Sequence, residues 1–427
     1  MKHKVVISFL AIVLVVSVLG LSACAKPAPA PAPAPAPPPA PTPAPAPKPT
    51  PKPVLPPPPP PFEWPSSLKM RTLGIGGSLH TVMSSWAPVM EQTTGMKVRI
   101  ISEGNYVIAR RWLMQGIVDT DVNSMTEART QYLGESGWAT REGGAYPWDR
   151  VLWLGEIVPF GYGIYADSDI KTVYDLKGRK VGLPTGLAGP KSVLEGTLAW
   201  ANLTWDDIEI VPFAGHSAHT EGMIEGKCDT AQVMPASPLG FEAESGPHGV
   251  RFLEMYPNKD PDGAKRFWSV MPVQTFAPAT VGIEAGHGVW MFATAFFMTV
   301  EEDTDTDLAY NLAKWFHENL DKYKDKYVLN PTMSLDSCAG LLKYSYLPVH
   351  EGTIKYLKEV GKWGAEEDAL QKANIELVNA YYEAYQEAVR MADEKGIKVD
   401  PQNEEWTKFW DDYRNGLNLP PIKLASG

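Results

Sequence analysis

Cysteine is scarce in this chain, and the commonest catalytic signatures are missing. Three cysteines stand in 427 residues, at Cys24, Cys228 and Cys338. That is too few for a disulfide framework, and their spacing fits no zinc site. Cys228 lies in Gly226-Lys227-Cys228-Asp229, where an apolar residue would enter a strand, so a buried free thiol is expected there. There is no Gly-x-Ser-x-Gly elbow, no His-Glu-x-x-His pair and no phosphate loop. An excess of positive charge is also missing: the net charge is −11. Every acidic residue lies beyond position 61, whereas Lys2, Lys4, Lys26, Lys48 and Lys52 lie before it, so the remainder is more acidic still. Such a surface excludes nucleic acid and anionic lipid as natural partners. After one apolar run near the start no second one follows, which argues against a permanent transmembrane helix.

That apolar run is residues 5–21, preceded by Met1-Lys2-His3-Lys4 and closed by Leu21-Ser22-Ala23-Cys24. A charged start, a short apolar core and small residues at the break make residues 1–23 a secretory signal peptide. Leu-Ser-Ala-Cys resembles the bacterial lipobox, which implies that Cys24 is lipidated and becomes the first residue of the mature protein. Residues 24–61 then read as a lipid-anchored linker, with 21 prolines among the 37 residues 25–61. This composition favours extended polyproline II, with a reach on the order of 110 Å when fully stretched. The expected location is outside the cytoplasm, anchored to the cell membrane or outer membrane and facing the periplasm or the exterior.

From residue 62 onward short apolar strands alternate with helical stretches. Strands are expected over 71–75, 97–101 and near 120–123, with helices over 83–92 and 106–115. The pattern restarts with strands over 180–183, 208–212 and 230–234 and helices over 191–201 and 217–225. Two β-α-β-α-β runs imply an α/β fold of two lobes, each a mostly parallel sheet flanked by helices, followed by C-terminal helices. The expected organisation is lobe 1 over 62–163, lobe 2 over 164–275, a return to lobe 1 over 276–350 and a helical region over 351–427. The chain would cross between lobes near 160–166 and 272–283. A ligand cleft would lie between the lobes, with helix N-termini pointing into it.

Four segments carry a family resemblance. Asp175-Leu176-Lys177-Gly178-Arg179-Lys180-Val181, Leu203-Thr204-Trp205-Asp206-Asp207-Ile208 and Gly226-Lys227-Cys228-Asp229-Thr230-Ala231 form the first. Gly76-Gly77-Ser78 with Thr81 is the second, and Gly116-x-x-Asp119 the third. The fourth is Leu347-Pro348-Val349-His350-Glu351-Gly352-Thr353, followed by Tyr356, Glu359 and Gly361. Together they resemble the TAXI-type solute-binding subunits of TRAP transporters. The resemblance implies a periplasmic-binding-protein-like receptor, with no cofactor and no catalysis, that hands a small organic anion to an integral-membrane permease. A monomer is expected. An ABC-type or sensory receptor is the alternative in the same class, and a surface-anchored enzyme the rival outside it.

The resemblance and the physics of glycine turns at helix starts place the ligand at Gly76, Gly77, Ser78 and Thr81 in the first lobe and at Thr185, Gly186 and Gly189 in the second. His80, Asn105, Asn123 and Ser124 are further polar candidates. Arg110 is weighed with them, but Arg110 and Arg111 are neighbours on one helix and at most one faces a cleft. His350 is read as structural, near the lobe interface. The chain departs from the family where Leu79-His80 replaces a second Gly-Gly and where Leu187-Ala188-Gly189-Pro190 replaces a hydroxyl-bearing turn. The expected pocket is therefore more apolar and more crowded, suited to an organic acid with a larger apolar or aromatic body.

Three further patterns are discounted. The 303–307 run of alternating Asp and Thr lacks the glycine and glutamate of a calcium loop and reads as a helix start. His216-x-x-His219 has no third metal ligand in view, and Ser66-x-x-Lys69 lies at the linker edge.

Overall fold

The computed structural model describes residues 61–142, 144–185 and 187–424. The signal peptide, Cys24 and the linker up to residue 60 lie outside them. The first β-α-β-α-β run is β1 (Ser67–Thr72), α1 (Ser78–Thr94), β2 (Lys97–Ser102), α2 (Tyr106–Met114) and β3 (Asp121–Ser124), with α3 (Met125–Leu133) directly after it. β1 and β2 pair in parallel, with Ser67 opposite Lys97, and a parallel bridge from Met70 to Thr120 brings in the start of β3. Parallel pairing requires a crossover, and α1 supplies it.

β4 (Asp149–Pro159) and β5 (Gly161–Ile164) follow. The second run is β6 (Lys180–Pro184), α4 (Ala188–Trp200), β7 (Glu209–Phe213), α5 (His216–Ile224) and β8 (Ala231–Val233). β6 and β7 pair in parallel, and Val181 bridges in parallel to Thr230. α6 (Pro238–Ser245), β9 (Arg251–Phe252), α7 (Pro261–Val270), β10 (Thr275–Pro278) and β11 (Trp290–Glu301) come next. β5 pairs antiparallel with β8 and β9, which completes the second sheet.

The two sheets are joined by β4 and β11, a long antiparallel pair. β4 runs through Phe160 into β5 of the second sheet, and Phe160 donates its N–H to the Phe292 carbonyl. β11 begins beside β10, with Ala293 opposite Thr275, and ends in the first sheet, with Phe297 opposite Asn123. β10 belongs to the same four-stranded sheet as β3, β4 and β11. Both sheets are mixed: the α/β units are parallel, and the crossing strands add antiparallel partners. β11 is buried along nearly its whole length, as its unbroken Trp290-Met291-Phe292-Ala293 start and Phe296-Phe297-Met298 middle require.

The remaining helices are α8 (Thr306–Glu318), α9 (Leu320–Tyr323), α10 (Leu335–Leu342), α11 (Glu351–Glu359), α12 (Ala365–Lys395) and α13 (Glu404–Gly416). The start of α8 is capped by Asp305, whose carboxylate accepts from the Leu308 N–H, so the acidic run at 303–307 is a helix start. α12 and α13 dock on the end of α3: Trp406 donates to the Ala139 carbonyl and Trp410 to the Leu133 carbonyl, each at 2.9 Å. Cys228 and Cys338 are both buried and free. Burial pushes the Cys228 thiol up to about 11 and the Cys338 thiol up to about 12. Among the described residues no helix is long and apolar enough to cross a membrane.

Candidate ligand-binding cleft

The C-terminal ends of β1 and β7 feed α1 and α5, and both helices begin at the same opening between the sheets. Gly76 has φ +86, a conformation that L side chains rarely adopt, and Gly77 closes the turn by donating to the Gly74 carbonyl at 3.1 Å. Gly77 is the N-cap of α1 and Gly215 that of α5, and no side chain caps either helix. Two helix starts thus present N–H groups and the positive end of a dipole to the opening. The walls of this opening are largely apolar, with Leu73, Leu79, Phe160, Leu187, Val193, Met234, Leu239 and Phe296 among them. Among the described residues neither lysine nor arginine lines it.

The expected site residues divide into two groups. Gly76, Gly77, Ser78, Ser124 and Gly189 line the cleft. Ser78 donates its hydroxyl across it to the Met234 thioether. Thr81, His80, Asn105, Asn123 and Thr185 do not line it; their polar atoms are used in local structure. Thr81 Oγ1 donates to the Gly77 carbonyl at 3.0 Å. His80 Nδ1 lies 3.0 Å from Thr72 Oγ1, and burial lowers its pKa. Asn105 caps α2, its Oδ1 accepting from Val107 at 2.9 Å and Ile108 at 3.1 Å. Asn123 is buried behind the cleft and accepts from the Ser124 N–H at 2.8 Å. Thr185 donates to the Phe213 carbonyl at 2.9 Å. Gly186 lies outside the described residues.

Arg110 is buried away from the cleft. It is paired with Asp149 at 3.0 Å and Asp121 at 3.7 Å, while Arg111 is exposed beside Glu142. His350 caps α11, its Nδ1 accepting from Gly352 at 3.1 Å, so its place is at the end of the first-lobe β4 contact.

Polar side chains outside the expected site set also line the cleft, Glu127, His216, Thr220 and Gln232 among them. Glu127 is 2% exposed. Its Oε2 accepts from the Gly189 N–H at 2.7 Å and its Oε1 from Trp138 Nε1 at 2.9 Å. Burial raises its pKa, and the N–H groups of Gly189, Trp138 and Ala188 work in the opposite direction. Burial likewise lowers the pKa of His216 to about 4. His219 is buried; its Nε2 accepts from the Gln232 N–H at 3.1 Å and its Nδ1 faces the His216 carbonyl. That arrangement needs a neutral ring protonated on Nδ1, and it uses both nitrogens. Gln232 donates to the Pro190 carbonyl at 3.3 Å and to Tyr162 at 3.2 Å, which fixes its amide orientation and leaves Oε1 buried without a partner. No group of metal-ligating side chains occurs among the described residues.

The cleft thus joins two uncapped helix starts and an apolar wall. Residues 150–361 match the NMT1-like family. The match supports a solute-binding protein, and not an enzyme, as the class of this chain. It begins in β4 and runs through the whole second sheet to the end of α11. No curated protein matches.

Solved structures with a similar course include the periplasmic aliphatic sulphonate binding protein SsuA from Escherichia coli. It has 15% identity and a TM-score of 0.36, covering 75% of this chain and 88% of that one. R. palustris Rpa4515 with adipate has 15% identity and a TM-score of 0.41, covering 76% and 97%. The P235GK mutant of ArgBP from T. maritima has 16% identity and a TM-score of 0.38, covering 63% and 95%. These likenesses are weak, and the character of the cleft rests on its own residues.

Proposed function

We propose that the chain is an extracytoplasmic receptor of the TAXI type that captures a small organic acid between its lobes and delivers it to a TRAP-type permease. The observation that carries the ligand class is the pair of uncapped helix starts, α1 at Gly77 and α5 at Gly215, opening into one apolar-walled cleft. A carboxylate held there needs no lysine, because unpaired N–H groups and two dipole ends supply the favourable field. The rest of the ligand meets Phe160, Leu187, Val193 and Phe296, which suits an apolar or aromatic body.

Supporting the cellular role are the Leu21-Ser22-Ala23-Cys24 motif and the proline-rich 25–61 segment. A lipid at Cys24 would hold the receptor within reach of a membrane permease. Palmitate labelling of the expressed chain, lost in Cys24→Ser, tests the anchor.

The ligand class is tested by a thermal-shift panel of carboxylates and amino acids followed by calorimetry. A ligand present at about a thousand times its Kd stabilises by roughly 4 kcal/mol. Aromatic and branched monocarboxylates are expected to bind. Tight binding of glutamate and small dicarboxylates with no response to aromatic acids would sink the reading. A second reading draws on Glu127, whose buried carboxylate favours a ligand bearing an amine; preferential stabilisation by amines in the same panel selects it.

A further inference from the structure

The start of α4 differs from those of α1 and α5. Its N-cap is Leu187, which has no capping side chain, and its first residues are Ala188, Gly189 and Pro190. Pro190 has no N–H, so the free donors of the first turn reduce to Ala188 and Gly189. The Gly189 donor is taken by a carboxylate from the other lobe, that of Glu127 on α3, at 2.7 Å. The fit is close: a Cβ on Gly189 would stand 2.9 Å from Glu127 Oε2, so any larger residue there would push the carboxylate back. The second carboxylate oxygen is held by Trp138 Nε1, and Trp138, Tyr106, Leu187 and Ala188 form a small apolar cluster around the contact. Ser124 fixes α3 at its own start by accepting from the Glu127 N–H at 3.1 Å, so the carboxylate is aimed by a capped helix.

We infer that Glu127 is a specificity residue restricting the cleft to acids with a single carboxylate, because it fills with the protein's own carboxylate the anion place that α4 would otherwise offer. The inference rests on the organic-acid reading above. A ligand with one acid group is served by α1 and α5, and its other end meets apolar wall. A second acid group directed at α4 finds the Gly189 donor occupied and meets the Glu127 carboxyl itself, with no lysine or arginine among the described lining residues to offset it. Two carboxylates sharing a site disfavour joint ionisation by at least a pK unit, a factor of about ten in affinity.

The test uses the full chain and a matched pair of ligands, 3-phenylpropanoate and 3-(4-carboxyphenyl)propanoate, measured by calorimetry at neutral pH. The wild type is expected to favour the monoacid by about tenfold or more. Glu127→Ala frees the Gly189 donor and is expected to bring the two acids within about threefold, through a gain in diacid affinity. Glu127→Gln, which keeps the side-chain volume and removes the charge, should move the ratio in the same direction and guards against a collapsed cleft. Equal binding of both acids to the wild type, or an unchanged ratio in both variants, overturns the inference while leaving the organic-acid reading standing. Failure of the pair and of the whole carboxylate panel to bind overturns both.

Discussion

Ser217, at the start of α5, donates its hydroxyl to the carbonyl of Ile75, in the turn before α1, at 3.2 Å. The bond joins the two helix starts that are the proposed anion site, one from each lobe. The Ser78 to Met234 contact lies beside it. Both bridge elements of the two sheets, and an opening about β4 and β11 would separate them. In a two-state receptor such contacts add to the closed population, and a ligand adds the rest.

Ser217→Ala is therefore expected to weaken ligand binding without changing the fold. An exposed hydrogen bond of this kind contributes about 0.5–1.5 kcal/mol, a factor of roughly two to ten in the closed population. The loss should appear as faster ligand release in stopped-flow tryptophan fluorescence, with the unliganded melting temperature nearly unchanged. Identical release rates would mean that the bond plays no part in closure.

Glu127 predicts a pH dependence of stability. Its native pKa is raised by burial, above an ordinary value of 4.5. A carboxyl with a raised native pKa stabilises the fold fully below its unfolded pKa and loses that contribution as pH rises through the native one. Glu127→Gln cannot ionise and should gain on the wild type as pH rises from about 4.5 toward neutrality. Melting temperatures of both proteins across this range provide the check. A constant difference between them would show that the carboxylate carries no net ionisation penalty in the fold.

His216 predicts the opposite sign. Desolvation lowers its pKa from 6.5 to about 4. A histidine held neutral in the fold contributes stability that is present above the unfolded pKa of 6.5 and is lost as pH falls toward 4. His216→Asn is expected to flatten the acid limb between these values relative to the wild type. The His216 ring resonance, followed by NMR, should titrate below pH 5, and a titration near 6.5 would contradict the desolvation of this half-buried ring at the cleft wall.

The α/β units were legible because their signals are local. Gly95 ends α1 with φ 76, Lys97-Val98-Arg99-Ile100-Ile101 alternates as β2, and the turn at Gly178 feeds β6. α1 and α4 begin earlier than their apolar periodicity suggests, since their first turns face the cleft rather than the core. The crossing strands were hidden: 151–154 and 291–300 are apolar stretches buried nearly throughout, and such runs carry no period that separates strand from helix. Asn105 and Thr81 were legible as polar residues beside glycine turns, but their polar atoms cap the local backbone. Glu127 gave no local signal, because its partners Trp138 and Gly189 lie 11 and 62 residues away. Only the departure at Leu187-Ala188-Gly189-Pro190, where hydroxyls are missing, hinted that something else serves α4.

The C-terminal helices lie beyond the family match, and their packing makes them part of the first lobe. Trp410 is 1% exposed, donates to the Leu133 carbonyl at 2.9 Å and packs edge-on against Tyr385 with ring centroids 4.9 Å apart. Gly134, with φ +61, leaves room for that pair: a Cβ there would stand 2.6 Å from Tyr385. Trp410→Ala removes a buried aromatic and leaves the Leu133 carbonyl with only Arg414 as a side-chain partner. The cost expected for such a truncation is about 3–5 kcal/mol. Because α3 carries both this contact and Glu127, the variant should lower the single melting transition of the whole folded part and weaken ligand binding together. Tyr344→Ala, at an exposed position, serves as the control and should cost less than about 1 kcal/mol. A separate early transition in Trp410→Ala, with the main transition and ligand affinity intact, would show instead that α12 and α13 fold as an independent cap.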